Sequence, residues 1–167
     1  MGIIEWVEGT ALAIWVRESP SIFAYTGVLS LHAMGLAIVV GVNTVVALRV
    51  LGVAPSIPLK PLDKLFPLMY LGFIINAISG LALLAANASG MLSNVTFLVK
   101  LGFIACAVFT MHSLRNRVFS TAGPDSTTLM PSEGRTLAIL SLVFWAGAII
   151  SGRLTAYPNF VRSLFGL

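Results

Sequence analysis

The constraint that dominates this chain is where its charges are absent. Residues 19–48, 65–99, 101–114 and 136–152 contain no Asp, Glu, Lys or Arg. A bilayer-spanning helix needs about 20 mostly apolar residues, so these runs leave room for four spans and short connections in 167 residues. With 57% hydrophobic and 10% charged residues, the composition lies far from the soluble norm of about 25% charged. A soluble single domain, extended disorder, a disulfide framework and a nucleic-acid domain are excluded on these grounds. The net charge of +4 is therefore read as membrane topology, with the lipid bilayer as partner and no nucleic acid. The single cysteine, Cys106, lies within an apolar run and behaves as a small hydrophobe.

The expected architecture is all-α, an integral membrane four-helix bundle preceded by an interfacial amphipathic helix over residues 1–18. Ile4, Val7, Ala11 and Ile14 form one helical stripe, with Trp6 and Trp15 nearby and Glu5 and Glu8 opposite. That segment is too short to span and lies in the interface, held by its indoles. With Glu5 and Glu8 ahead of the first basic residue, Arg17, it does not resemble a cleavable signal peptide. Ser19-Pro20 reads as an N-cap followed by a first-turn proline. The spans are expected at about 21–49, 66–86, 95–114 and 136–157, the first longer than the bilayer requires and so tilted or projecting. Pro61 to Lys64 form an interfacial lead-in, and Asn87 to Asn94 a tight polar turn. A polar loop over 118–134 precedes the fourth span, which Pro158 stops. Phe160, Val161, Leu164 and Phe165 around Arg162 suggest an amphipathic tail on the membrane surface.

The loops after the first and third spans hold Arg49, Lys60, Lys64, Arg115, Arg117 and Arg135, whereas the opposite side has Arg17, Lys100, Arg153 and Arg162. The richer side is cytoplasmic. Both termini are therefore expected to face outward.

An ionisable residue inside lipid is costly enough to be a functional candidate by default. Four qualify: His32, Lys100, His112 and Arg153. His32 has Gly35 one turn away, which leaves space for something flat or for another backbone. Gly72, Asn76, Ser79 and Gly80 make a small polar stripe in the second span, and Gly147 and Ser151 do so in the fourth. This pattern points to haem b, with His32 and His112 as axial ligands and Lys100 and Arg153 neutralising the propionates at similar depth. Tyr157 and Asn76 would add hydrogen bonds. Depth strains the histidine pairing: His32 lies 12 residues after Pro20 and His112 lies 18 after Asn94, a level difference of about 9 Å. In the plainer reading, His32 bonds across helices, His112 is interfacial, and Lys100 and Arg153 snorkel to the headgroups. Copper is the competing metal, through His32 with Met34 and Met111 with His112. No hydrolytic constellation is present, since every acid lies outside the spans.

The stretches LSLHAMGLAIVVG around His32, ALRVLG with Arg49, FLVKLGF with Lys100, and ISGRLTAY with Arg153 and Tyr157 support one further reading. On these the chain resembles an uncharacterised family of small four-helix bacterial inner-membrane proteins, itself distantly like the copper-resistance D membrane proteins. The resemblance implies a fold more than an activity, and groups His32, Lys100, Arg153 and Tyr157. The expected function is electron transfer through b-type haem, as a small cytochrome or the anchor subunit of a redox complex. It would exchange electrons with quinone or a periplasmic partner. The alternatives are copper handling or transport, and a cofactor-free structural or assembly subunit. Small-residue helix faces on so short a chain suggest an oligomer or a subunit of a larger membrane complex.

Overall fold

A computed structural model describes residues 2–119 and 132–157. Two short helices, α1 (Ile3–Glu8) and α2 (Ala11–Glu18), open the chain. They replace the single interfacial helix expected from the stripe. Thr10 is the reason: its hydroxyl accepts from Ala13 N at 3.4 Å and donates to the Val7 carbonyl at 2.8 Å, capping a new helix. Ser19 is likewise not the cap of the first span. It ends α2, its N–H bonding to the Trp15 carbonyl. The Ser19 and Ser21 hydroxyls then accept from the Ser21 and Phe23 amides, holding a turn before α3 (Tyr25–Val50) begins.

The 26 residues of α3 extend about 39 Å, longer than a hydrocarbon core of about 30 Å. The helix closes through Gly52, whose φ of 91° favours glycine. Val53 N–H reaches the Leu48 carbonyl and Gly52 N–H the Arg49 carbonyl, a Schellman arrangement. The lead-in around Pro61 is a 3-10 turn, Lys60–Leu65, that runs directly into α4 (Phe66–Ala86). The expected turn after α4 contains a short helix, α5 (Ala88–Leu92). Next come α6 (Val95–Leu114), a π-helical turn over Arg115–Phe119, and α7 (Ser132–Leu154). The last helix starts four residues before the expected Thr136 and ends three before Tyr157. Pro158 and the amphipathic tail around Arg162 lie outside the described residues, as does 120–131 of the third loop.

Four helical stretches are long and apolar enough to cross a membrane: Tyr25–Val50, Lys60–Ala86, Val95–Arg117 and Ser132–Leu154. Leu31, Leu71, Ile78, Leu81, Phe109 and Ile150 are all exposed on them, which in a soluble protein would be untenable and in a bilayer faces lipid. The chain is thus an all-α, multi-pass membrane protein in contact with the bilayer.

The chain divides into two compact units, Met1–Val39 with Leu68–Asn94, and Val40–Pro67 with Val95–Leu167. In the first, α1 packs on α5, and Glu8 accepts from the Ser89 amide and hydroxyl at 2.7 and 2.8 Å. Arg17 donates to the Ala86 carbonyl at the end of α4. Opposite charges therefore meet opposite helix ends, as the peptide dipoles favour. In the second unit α6 packs along α7, with the Phe103 ring over Gly147, where a Cβ would come within 2.7 Å of the ring. Arg49, only 4% exposed, ties the loop back to α3 by donating to the Ile57 and Pro55 carbonyls.

Candidate functional site around His32

Unit one places His32, Gly35, Asn76, Ser79 and Gly80 together. The histidine is half-buried on α3, and its Nδ1 lies 2.9 Å from the backbone carbonyl of Asn76 on α4. A carbonyl only accepts, so this bond requires a proton on Nδ1. The Asn76 side-chain amide returns a bond to the His32 carbonyl at 2.8 Å. Ser79 Oγ lies 3.3 Å from Nδ1 and donates within α4 to the Ile75 carbonyl.

Two glycines permit this approach. A Cβ on Gly35 would fall 2.7 Å from the Asn76 amide nitrogen and 2.8 Å from the Gly72 carbonyl oxygen. Of the two occupants that Gly35 allows, the structure therefore shows the backbone of α4. A Cβ on Gly80 would fall 2.9 Å from His32 Cε1, so the missing side chain is what seats the imidazole against α4. The polar stripe read from the second span is thus the surface that receives His32.

The other expected site residues belong to unit two, so the group of His32 with Lys100 and Arg153 falls across two units, each described by itself. Lys100 rises from α6 with its stem 3.4 Å from where a Gly152 Cβ would stand. Its ammonium lies 6.0 Å from the centre of the Phe97 ring. Arg153 is exposed, its guanidinium 5.7 Å from the centre of the Tyr157 ring. The structure thus sets the Lys100 side chain against Gly152, the residue before Arg153.

His112 is exposed at the other end of α6. Its Nε2 accepts from the Asn116 side-chain amide at 2.9 Å. That bond engages the nitrogen an iron would need, in a unit separate from that of His32. Of the copper pairs, the second diverges: Met111 is buried and His112 exposed. Among the described residues no three His, Cys, Asp or Glu side chains gather as a metal site.

A second polar set was not anticipated from the sequence. Asn43, 1% exposed, donates to Ser141 Oγ at 3.4 Å within unit two. One turn along α7, the Trp145 indole N–H is buried without a partner among the described residues. An asparagine inside an uncharged span was the available signal for the first. Two surface clefts, of 490 and 260 Å³, are lined by Ala11, Ile14, Trp15, Glu18 and Ser19, and by Asp63, Arg115, Asn116 and Phe119. Neither takes in His32, Lys100 or Arg153.

Comparison with protein-family models, with curated proteins and with solved structures found no match. The fold and the site define a class on their own terms: a multi-pass helical membrane protein with a histidine whose Nδ1 is bonded to the backbone of a neighbouring helix.

Proposed function

We propose that this chain is a small inner-membrane b-type haem protein that passes electrons, alone or as the anchor subunit of a larger redox complex. The observation that carries the reading is the bond from His32 Nδ1–H to the Asn76 carbonyl. Histidines that ligate a metal through one nitrogen commonly donate the other N–H to a carbonyl or carboxylate, which fixes the tautomer and raises ligand basicity. His32 fits the proximal role in that respect. His112, with Nε2 engaged by Asn116, does not fit as its axial partner. Haem, when bound, supplies a one-electron couple whose potential the axial ligand and its hydrogen bonding tune. The chain's own part is to hold the imidazole, through Asn76 and the space above Gly80, at a fixed orientation.

The electron partners on this reading are a quinone dissolved in the bilayer or a periplasmic redox protein. The excess of Lys and Arg in the loops after the first and third spans supports an orientation with both termini in the periplasm. The test is a visible spectrum of the detergent-purified protein, oxidised and reduced. A Soret band that is lost in His32→Ala, with helicity retained by circular dichroism, is the expected result. A wild-type protein without Soret absorption sinks the proposal.

A second reading is favoured by the reciprocal bond from the Asn76 amide to the His32 carbonyl. Here His32 is a helix clasp in a cofactor-free membrane subunit. The purified protein is then colourless, and His32→Ala lowers stability without changing any spectrum.

A further inference from the structure

Six acids are present in the chain, and the five among the described residues each have a commitment elsewhere. Glu18, Asp63 and Glu133 pair with Arg17, Arg115 and Arg117. Glu5 accepts from the Gly2 amide and Glu8 from Ser89. Lys100 and Arg153 have no carboxylate within ion-pair distance among the described residues, and both lie inside segments apolar enough to span a bilayer. No acid among the described residues balances the charge at this end of unit two.

The geometry sets the depth of the site. Lys100 is the sixth residue of α6, about 8 Å in from its start at the helical rise. Its stem nevertheless lies along Gly152, with Nζ 3.6 Å from where a Cβ would stand. Gly152 belongs to the last turn of α7, which ends at Leu154. The missing side chain at Gly152 is therefore a trough that carries the ammonium toward the end of the helix, next in sequence to Arg153. The Arg153 guanidinium stands over the Tyr157 ring and the Lys100 ammonium near the Phe97 ring, an attraction between cation and ring face. Cations and aromatic rings meeting where spanning helices end are the furniture of the headgroup layer.

We propose that Lys100 and Arg153 form a clamp for the phosphate of a phospholipid headgroup, seated at the Val95 end of α6 and the Leu154 end of α7. The guanidinium supplies a planar fork for two phosphate oxygens, and the ammonium, seated against the adjacent Gly152, a point charge. The site selects for the phosphodiester and not for the alcohol esterified to it.

The test uses the full chain extracted in mild detergent and exchanged into bilayers of phosphatidylglycerol, of phosphatidylcholine, or of a phosphate-free galactolipid, with bound lipid read by native mass spectrometry. Wild type retains one molecule of either phospholipid and not the galactolipid. Lys100→Met with Arg153→Gln lowers that occupancy about thirtyfold, roughly fivefold for each cation removed, whereas Lys100→Arg keeps it. Arg153→Gln alone changes an exposed side chain and serves should the double variant fail to fold. Equal retention in wild type and variants overturns the proposal, as does retention of the galactolipid. Displacement of the lipid by millimolar inorganic phosphate assigns the site to free phosphate and also overturns it. Loss of a visible chromophore instead of a phospholipid would assign the cations to cofactor carboxylates, with the same consequence.

Discussion

His32 and Asn76 are joined twice, each side chain bonded to the other's backbone carbonyl, at 2.9 and 2.8 Å. Both acceptors are helix carbonyls that already serve their own turns, so the bonds add to the helical ladder without replacing any of it. Because the acceptor facing the imidazole is backbone, no substitution on α4 can remove it. The proton on His32 Nδ1 is therefore written into the packing of two helices. Asn76→Ala should cost about 1 kcal/mol, within the range of interhelical bonds in membranes, and should leave Nδ1 protonated. Thermal unfolding in detergent gives the first quantity, and the imidazole nitrogen chemical shifts the second.

Gly35 and Gly80 predict different outcomes despite sharing a site. Gly35→Ala drives a Cβ into the α4 backbone, and a clash with backbone on a packed face costs about 1–3 kcal/mol. Gly80→Ala meets the edge of the His32 ring, so it displaces the imidazole and should shift any His32-dependent absorption more than it lowers stability. Gly41→Ala is the control, since nothing lies within 4 Å of its added Cβ; it should be neutral or stabilise by up to about 1 kcal/mol through helix propensity. Parallel melting curves of the three variants separate these cases.

Arg49 holds a loop with no ion pair to an acid among the described residues. Its partners are the Ile57 and Pro55 carbonyls, and bonds from a charged donor are worth about 1.5–3 kcal/mol each. Arg49→Leu should destabilise unit two by about 2–3 kcal/mol and make residues 52–58 susceptible to limited proteolysis. Arg49→Lys should recover only part, because an ammonium cannot reproduce the fork that reaches two carbonyls.

Docking of α1 on α5 should weaken in acid. Hydrogen bonds from the Ser89 amide, then from its hydroxyl, hold the Glu8 carboxyl below its ordinary value of 4.5, with Arg17 contributing. A carboxyl lowered in the docked state stabilises that state fully above the ordinary value and loses the contribution as pH falls through the docked one. Hydrogen-exchange protection over residues 88–92, corrected for intrinsic rates, should therefore be flat at neutral pH and decline below about 4.5. Glu8→Ala should show the low protection at every pH.

What was legible in the sequence follows from what is local. Hydropathy and charge placement located α4 and α6 at 66–86 and 95–114, because a helix must satisfy its own backbone in lipid and so announces itself by length and apolarity. The beginning of the chain was less legible. Its periodic stripe continues across Gly9 and Thr10, and periodicity carries no record of a hydroxyl that caps a new helix. Asn43 with Ser141 went unseen for a related reason: each is an ordinary small polar residue until the other is placed beside it.

The sequence by itself determined that this is a four-span helical membrane protein, and it singled out His32, Lys100 and Arg153 as costly residues in lipid. It did not determine what they touch. In lipid the outward faces of α3 and α6 are as apolar as the inward ones, so no pattern marks which side meets a neighbour. Only the tertiary structure decided that the space beside Gly35 is filled by backbone and that His32 is protonated at Nδ1. It likewise decided that the Lys100 ammonium is carried along Gly152 toward the end of α7. Each of these depends on residues more than forty positions apart in the chain, brought together by packing.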